Sequence, residues 1–301
     1  MRIQMNSMYS RTIAALAIAT VLFSLVGVFV KLIHLPSSGI ALGRAVTALI
    51  ALLGFLAIRR KPLFSLRKPT DLLPLCLLGV LMSGNWFFYF AAIKASTVAV
   101  AVISLFTYPL ITALIEPVLL RQRFRIIDCI GAAAVIAGVM LVVPRFRITD
   151  STALGALFGM ISAISLALCN VLNKKLVVRY SSIEMMAYQF LVATILFLPA
   201  GPALMKPIPI VEVMYLALLG AALTTFSLFL FINSFKYLAA STTGIFTSLQ
   251  PFITVGFAYV LLHEVPTIRT IIGGLIICST VVLVGVQAKK QNIEYQAPNV
   301  Q

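Results

Sequence analysis

Charged residues are scarce in this chain, and acidic residues are the scarcest. Of 301 residues only 10% are charged, with 8 Asp and Glu against 23 Lys and Arg, while 61% are hydrophobic. The mean hydropathy is +1.08. A water-soluble domain needs more polar residues than this to cover its surface. The composition therefore excludes a soluble protein and predicts an integral membrane protein with little mass outside the bilayer.

Cysteine and histidine are nearly absent as well. The two histidines, His34 and His263, stand at the edges of apolar segments, and no Gly-rich phosphate loop is present. The four cysteines lie singly inside apolar segments, without the spacing of a metal site or a disulfide framework; they are Cys76, Cys129, Cys169 and Cys278. We therefore predict no catalytic residues, no metal site and no cofactor, and we do not expect an enzyme.

Long apolar runs, by contrast, recur along the whole chain. Runs of about 18 or more such residues are typical of membrane-spanning helices. The sequence predicts ten spans, separated by short breaks with turn or charged residues: Thr12–Ile33, Gly39–Ile58, Leu72–Ile93, Thr97–Leu119, Ile126–Val143, Ala153–Leu172, Met185–Leu204, Val211–Phe235, Thr242–Leu262 and Ile268–Val286.

The distribution of positive charge predicts the orientation of these spans. With a cytoplasmic N-terminus, sixteen Lys and Arg residues fall in the inner segments and six in the outer segments. Positive charge is enriched on the cytoplasmic side of membrane proteins. We therefore expect a multi-pass protein of the cell inner (plasma) membrane with both termini cytoplasmic. The net charge of +15 then needs no nucleic-acid partner; the expected partners are the lipid bilayer and a small-molecule substrate.

One stretch of the chain returns 142 positions later without gaps. Lys94 aligns with Lys236, Pro109 with Pro251 and Gly131 with Gly273, and several apolar positions align in the same register. Matches between Leu and Ile are common in so apolar a chain, but Lys, Pro and Gly each have positional roles. We interpret this as two copies of one unit rather than chance similarity between apolar helices.

Five spans separate equivalent points of the two copies. Because five is an odd number, the second copy must be inserted upside down, which is the construction of many secondary transporters. The fold prediction is an all-α membrane protein of ten transmembrane helices in two inverted five-helix repeats. The predicted boundaries are residues 1–146 and 147–288, followed by a disordered cytoplasmic tail over residues 289–301.

Together these features resemble the EamA-type members of the drug/metabolite transporter superfamily. The resemblance rests on the ten spans and on the segments Tyr89–Lys94 and Phe231–Lys236, together with Pro109, Pro251 and the His263-Glu264 pair. It covers nearly the whole chain. It implies a monomeric or dimeric carrier of small metabolites, often an exporter of amino acids. It also implies a central cavity lined by the first, third, fourth, sixth, eighth and ninth spans.

The chain departs from this family at one position. The family commonly has Glu where the fourth and ninth spans end; Glu264 matches, but the first-half position is Gln122. We therefore assign no symmetric carboxylate role.

Two prolines fall near the centres of their spans. Pro109 and Pro251 each remove a backbone donor and clash with the carbonyl four residues earlier. Inside a membrane, such freed polar groups persist only where they face protein, water or substrate. We predict helix kinks at both prolines, which either shape the walls of a substrate cavity or are satisfied by a neighbouring helix.

Polar and aromatic residues cluster at a similar depth in five spans. Amides, hydroxyls and aromatic rings together suit a small polar solute with an apolar part. The alternatives are an interfacial aromatic belt and interhelical hydrogen bonds. The candidate substrate-binding residues are Asn85, Trp86, Tyr89, Phe90, Tyr108, Asn170, Asn173, Phe229, Asn233, Thr247 and Gln250.

Two ionisable residues lie within predicted spans. Such residues are costly in a membrane and tend to be functional. Glu116 is a candidate for proton coupling or, alternatively, a partner of nearby arginines. Arg44 is a candidate for binding a substrate carboxylate from the outer side or, alternatively, an interhelical cap. Lys94 and Lys236, at opposite faces, are expected to cap helix C-termini.

The function predicted from the sequence is a secondary transporter that moves small metabolites by alternating access. Amino acids or related zwitterionic compounds are the preferred cargo, and export is the preferred direction. The alternatives are an importer of a vitamin, nucleotide-like or sugar metabolite, and a non-transporting membrane enzyme. The G-x-x-x-G at Gly155 and Gly159 predicts close helix packing within the chain, with a homodimer as the other option.

Overall fold

The computed structural model describes residues 2–59, 67–120, 126–142, 150–177, 179–205, 207–234, 247 and 249–296. Within these ranges the chain is helical and contains no strand, so the predicted all-α class is confirmed there. The helices are α1 (Arg2–Leu32), α2 (Ser37–Arg59), α3 (Leu72–Ala95), α4 (Val98–Leu105), α5 (Tyr108–Leu120), α6 (Ile126–Val142), α7 (Ser151–Leu176), α8 (Ser182–Phe197), α9 (Gly201–Met205), α10 (Ile210–Gly220), α11 (Ser227–Ser234), α12 (Gln250–Leu262) and α13 (Ile268–Gln296).

Several of these helices are long and apolar enough to cross a membrane. In the described chain there are six such segments: Arg11–Leu32, Ser37–Ile58, Pro69–Ala95, Ser151–Leu176, Ser182–Met205 and Ile210–Phe231. The other four predicted spans coincide with shorter apolar helices: Val98–Thr112, Ala133–Val142, Gln250–Leu262 and Ile268–Leu283. The protein is therefore a multi-pass membrane protein, whereas crossing by all ten segments stays a prediction.

Large apolar side chains cover the outside of the helix bundle. Ile58, Leu73, Ile210 and Ile268 are between 68% and 83% exposed. In water, so extensive an apolar surface would cause aggregation. In a bilayer, the same surface contacts the lipid chains.

The fourth predicted span is interrupted near its centre. α4 ends at Leu105, and α5 begins at Tyr108 after a turn at Phe106 and Thr107. Pro109 thus lies in the first turn of a new helix, where its missing N–H would have no intrahelical partner anyway. Pro251 is likewise the second residue of α12. Both prolines therefore lie in the first turn of a helix in this structure, and their part in shaping a cavity stays a prediction.

The pattern of helix packing follows the sequence repeat. α3 packs against α7 and α8, and the repeat counterpart of α3, formed by α10 and α11, packs against α2 and α1. α5 packs against α7, while its counterpart α12 packs against α1. The counterparts α6 and α13 pack against each other. Exchanging the two copies leaves this set of neighbours unchanged, as a two-fold relation between them would require.

α1 and its counterpart α7 run in opposite directions. Near the end of α1, the Lys31 Nζ donates to the Ile93 carbonyl, at the end of α3, over 3.1 Å. After the end of α7, the Tyr180 hydroxyl donates to Asp71 Oδ2, at the start of α3, over 3.0 Å. The two helices therefore finish at opposite ends of α3, which is the geometry that inverted repeats predict.

α3 and α7 touch along their whole length and form a seam between the two copies. Tyr180 meets Asp71 at one end, and near the middle Asn85 Nδ2 donates to Ser162 Oγ over 2.8 Å. Toward the other end, a Cβ on Gly155 would overlap the Ser96 side chain, so only glycine permits this approach. Gly155 and Gly159 thus serve packing within the chain.

The C-terminal region differs from its prediction. α13 continues to Gln296, whereas a disordered tail was predicted from residue 289. The Lys, Gln and Glu residues of this stretch are good helix formers, so the apolar helix propagates beyond its last membrane-facing residues. Residues 297–301 lie outside the described chain.

Candidate substrate-binding site

A buried arginine marks the interior of the bundle. Arg44, on α2, is 6% exposed, and its Nε donates to Thr224 Oγ1 over 2.7 Å. The guanidinium carbon lies 4.3 Å from the centre of the Trp86 ring and 5.5 Å from that of Phe90. Both copies of the repeat thus contribute to the surroundings of this one cation.

The arginine lies deep in the bundle rather than at its end. Trp86, which it contacts, precedes the end of α3 at Ala95 by roughly 14 Å, taking about 1.5 Å per residue. That is close to the centre of a hydrocarbon layer about 30 Å thick. A positive charge at such depth costs about 3 kcal/mol on insertion scales, and residues that bear this cost are usually functional.

Arg44 keeps part of its hydrogen-bonding capacity unused. Nε is bonded to Thr224, but across the described residues its two terminal nitrogens meet no hydrogen-bonding partner and the side chain makes no salt bridge. Two parallel N–H groups of a guanidinium match the two oxygens of a carboxylate. The free edge of the Arg44 guanidinium therefore has the donor arrangement that a carboxylate requires, while its face lies on the Trp86 ring.

A π-helical segment, Ala221–Phe226, positions Thr224 for this contact. Thr224 Oγ1 donates to the Leu219 carbonyl over 2.6 Å, and Thr225 Oγ1 donates to the Gly220 carbonyl over 3.0 Å. A π-turn widens the helix by one residue, and such turns are frequent at functional sites. Here it places a hydroxyl oxygen against Arg44 from the second copy.

The aromatic candidates of α3 line the same region. Trp86 is 4% exposed, Tyr89 7% and Phe90 0%, so none of them belongs to a lipid-facing aromatic belt. Trp86 also lies 5.9 Å from Phe190 on α8, measured between ring centres. The Trp86 and Phe90 rings beside one guanidinium form an apolar wall around a polar group, as expected for a site that binds an amphipathic solute.

The candidate amides of α3 and α7 are hydrogen-bonded to protein. Asn85 is bonded to Ser162, whose hydroxyl donates back to the Asn85 carbonyl over 2.8 Å. Asn173 accepts from Gln189 Nε2 over 3.2 Å, and its own Nδ2 donates to Cys169 Sγ over 3.6 Å. For Asn85 and Asn173 the structure therefore shows the interhelical hydrogen bonds that were the alternative to a cavity role.

The remaining candidates have recorded contacts with residues other than Arg44, are described by burial alone, or lie outside the described side chains. A side-chain hydrogen bond joins Tyr108 to Thr247 and so links the two copies. Phe229 lies 5.6 Å from Phe55 between ring centres, and the Gln250 carbonyl accepts from Ser24 Oγ over 3.4 Å. Asn170 is half-buried on α7. The side chains of Glu116 and Asn233 are not among those described, so their proposed contacts stay predictions.

The sequence reasoning missed three buried polar residues. Thr224 completes the surroundings of Arg44, and Gln189 is 3% exposed with no partner for Oε1 in the described chain. Thr254 Oγ1 is buried without a partner there too. Gln189 could have been found as an amide inside an apolar run. The two threonines gave no signal, because isolated hydroxyls are common in membrane helices.

One end of the bundle, here called the Glu264 end, carries a cluster of charges. Lys31 Nζ lies 3.4 Å from Glu264 Oε1, and Lys94 Nζ donates to the Ile33 carbonyl. Glu212 Oε1 lies 3.0 Å from His34 Nδ1. The expectation that Lys94 satisfies a helix-terminal carbonyl is met, since Ile33 directly follows α1.

The opposite end, the Asp71 end, has a smaller cluster. Asp71 Oδ1 accepts from Arg179 over 3.2 Å, and its Oδ2 accepts from Tyr180. The Arg67 amide donates to the Tyr180 hydroxyl over 3.0 Å. This cluster joins the start of α3 to the chain between α7 and α8, at the end of the seam.

The architecture defines a class of protein. It is a multi-pass, all-helical membrane protein in which two related groups of helices enclose a buried arginine, Arg44. A family model described as EamA-like transporter family matches the chain twice, over residues 10–143 and 153–286. The chain belongs to the EamA-like transporter family. This membership identifies a transporter rather than an enzyme.

Several curated relatives are similar over part of the chain. The S-adenosylmethionine uptake transporters of Rickettsia bellii and Rickettsia conorii are 29% and 30% identical over 134 residues, which is 44% of this chain and 46% and 45% of theirs. The protein of the same name from Rickettsia prowazekii is 26% identical over 66% of this chain and 65% of its own length. The chain thus spans between about half and two thirds of these relatives.

A solved crystal structure shares the fold. It superposes with a TM-score of 0.66 at 18% identity, covering 92% of this chain and 97% of the other. The likeness extends over nearly the full length of both chains, so the helix arrangement described above is that of a known fold.

Proposed function

We propose that this protein is a secondary carrier that moves a small zwitterionic metabolite across the membrane by alternating access, with Arg44 as the anchor for the cargo's carboxylate. The observation that supports this most is the buried Arg44 guanidinium without an ionic partner in the described chain. A cation inside a bilayer is stabilised when an anion joins it, so a carboxylate gains most at this position.

The cargo carries an amino-acid group. The Arg44 fork takes the carboxylate, and the rings of Trp86 and Phe90 take an apolar or planar part of the same molecule. S-adenosylmethionine fits this description, because it joins an α-amino carboxylate to a flat adenine ring. The names of the Rickettsia relatives make it the first cargo to test, within the wider class of amino acids and related zwitterions.

The direction of transport is part of the proposal. The relatives' names favour uptake, whereas resemblance to the family favours export of amino acids. A carrier without ATP chemistry moves cargo down the combined gradients of its solutes, so one mechanism serves both directions. We propose that the protein takes up S-adenosylmethionine, or that it exports simpler amino acids, and the flux assay below compares these two directions.

The membrane topology completes the proposal. In this proposal the chain crosses the cell inner membrane ten times, in two inverted halves, and both termini lie on the cytoplasmic side. The Glu264 end then faces outward. The opposite directions of α1 and α7 support the inversion. Under this topology, Arg44 lies between the two ends and is reached from each side in turn.

The test is a flux assay in proteoliposomes containing the purified protein. Labelled S-adenosylmethionine, methionine and alanine are offered, together with decarboxylated S-adenosylmethionine, which keeps the adenine and sulfonium but lacks the carboxylate. Liposomes without protein provide the baseline. Efflux from preloaded vesicles is measured in parallel with uptake, so that the two directions are compared on one preparation.

We expect flux of at least one carboxylate-bearing cargo, and we expect decarboxylation to lower its rate about 10- to 100-fold, the factor that corresponds to hydrogen bonds with a charged group. Equal flux of the decarboxylated compound would remove Arg44 as the anchor. Flux of none of the zwitterions, with flux of a vitamin, nucleoside or sugar, would favour the importer alternative.

A further inference from the structure

We propose that the Lys31–Glu264 ion pair is the gate that holds the Glu264 end of the passage closed. The inference rests on the proposed carrier function, because a gate needs a passage. Lys31 belongs to the first copy and Glu264 to the second, so this pair ties the two copies together at one end. Opening that end requires α1 and the end of α12 to separate, and therefore requires the pair to break.

The Lys31 ammonium is held by three acceptors at once. It lies 3.4 Å from Glu264 Oε1 and donates to the carbonyls of Ile93 over 3.1 Å and Ser96 over 2.6 Å. One side chain thereby connects α1, the turn between α3 and α4, and the loop after α12. Lys31 and Glu264 are only 31% and 17% exposed in their side chains, so solvent screens the pair less than a surface pair.

The Glu264 carboxylate also acts on α4. Its Oε2 accepts from the Val98 amide, the first of α4, over 2.9 Å. Free amides at a helix N-terminus attract a negative charge. Thr97 already caps this helix by accepting from the Val100 amide over 3.2 Å. Glu264 thus adds a second, removable cap that comes from the other copy of the repeat.

The repeat has no charged counterpart of this pair. Shifted by 142 positions, Lys31 becomes Asn173 and Glu264 becomes Gln122. Asn173 bonds within its own copy, to Gln189 and Cys169. A hydrogen bond between charged groups is about twice as strong as a neutral one. The Glu264 end therefore has an ionic tie between the copies at a position where the repeat alone would give amides.

Other charged groups at this end make separate contacts. Lys94 donates to the Ile33 carbonyl, and both residues belong to the first copy. His34, of the first copy, and Glu212, of the second, form a further contact between the copies at the outer edge, where the His34 side chain is 86% exposed. Lys94 is therefore a control for Lys31: the residue type and the end of the bundle are the same, but its hydrogen bond stays within the first copy, although its charge also acts on Lys31 and on Glu212.

The experiment is hydrogen–deuterium exchange of the full-length protein in lipid nanodiscs, read by mass spectrometry on peptides covering Val98–Val102. The variants are Lys31→Met, Lys31→Arg, Lys94→Met and Glu264→Gln. No cargo is added, so the measurement does not depend on whether the protein transports the cargo offered in the flux assay. Size-exclusion chromatography checks that each variant is folded.

We expect Lys31→Met to raise exchange at the start of α4 about tenfold, the factor that corresponds to one hydrogen bond with a charged group. In Lys94→Met, exchange at the start of α4 should stay within twofold of that in the unsubstituted protein. In Lys31→Arg, exchange should rise less than in Lys31→Met. The Val98 amide and Glu264 are intact in these variants, so a change in exchange does not come from removal of the acceptor of that amide.

Two results would overturn the gate. If Lys31→Met leaves exchange unchanged while Glu264→Gln raises it, Glu264 is only a cap of α4. If Lys94→Met raises exchange as much as Lys31→Met, the tie between copies has no special role. Absence of flux in proteoliposomes, with the expected exchange pattern, would instead count against the proposed cargo or carrier function and leave the ionic closure standing.

Discussion

The two copies of the repeat share a helix arrangement but differ at the position of the buried cation. Arg44, Trp86 and Thr224 meet in one place, whereas the residues 142 positions away from them are Met186, Leu228 and Met82. Met186 is 2% exposed and Met82 9%, so these two positions are buried apolar core, and Leu228 is partly buried against the same core. The repeat thus supplies a symmetric scaffold, and one side of that scaffold carries the polar chemistry.

This difference has a physical reason. A second buried arginine would add another cost of about 3 kcal/mol without a second cargo to offset it. Helix packing needs only shape, which methionine and leucine supply at low cost. The scaffold can therefore stay duplicated while the charge is present once.

The largest effect is expected when Arg44 is made like its counterpart. Arg44→Met should lower cargo affinity about 10- to 100-fold, because the charged hydrogen bonds to the carboxylate are lost. Thermal stability should stay the same or rise, since a buried charge is replaced by an apolar group. Binding by calorimetry and melting of the detergent-solubilised protein measure the two effects.

The matched control is Met186→Leu, a change of similar volume in the counterpart position, which should alter neither quantity. A large loss of stability with Arg44→Met would show instead that the arginine is a structural cap.

A smaller effect is expected from Trp86→Leu, which copies Leu228. The loss of the ring beneath the guanidinium should lower cargo affinity about tenfold, in the upper range for a desolvated cation–π contact. Phe87→Leu, on the same helix but 36% exposed on the outside, serves as the comparison. Cargo affinity is measured from the flux of labelled cargo, which does not depend on tryptophan fluorescence. Equal losses of affinity in both variants would show that the effect comes from general packing of α3.

Thr224→Val should lower cargo affinity less than Trp86→Leu does. It removes the oxygen that accepts from Arg44 Nε, and a single neutral acceptor contributes about 1 kcal/mol, so cargo affinity should fall about fivefold. Thr225→Val removes the neighbouring hydroxyl of the same π-helical segment without touching Arg44, and should leave the affinity unchanged. If both variants lower cargo affinity equally in the binding assay, the affinity depends on the conformation of the π-helical segment and not on the contact between Thr224 and Arg44.

The smallest effect on cargo is expected at Asn85. Asn85→Ala should leave affinity within twofold but reduce the free energy of unfolding by about 1–2 kcal/mol, because Ser162 loses its interhelical partner. A double-mutant cycle with Ser162→Ala measures their coupling. A strong loss of cargo affinity without loss of stability would return Asn85 to the binding site.

Some of the site could be predicted from the sequence, and the residues show why. Arg44 was found because a charge inside an apolar run is rare, and Trp86, Tyr89 and Phe90 were found by their helical spacing within the third span. Asn85 and Asn173 were predicted on the same grounds, yet they bond to neighbouring helices. The sequence does not distinguish an amide that faces a cavity from one that faces another helix, because the amide forms stabilising hydrogen bonds in both environments.

The amino-acid sequence by itself determined the helical membrane class, the duplicated unit and the family resemblance, because long apolar runs and a fixed repeat are properties of the linear chain. Only the tertiary structure decided that Thr224 meets Arg44, that Lys31 meets Glu264 and that the prolines begin helices. The two contacts join residues 180 and 233 positions apart and form only when the two copies pack together, and the start of a helix depends on the folded backbone around it.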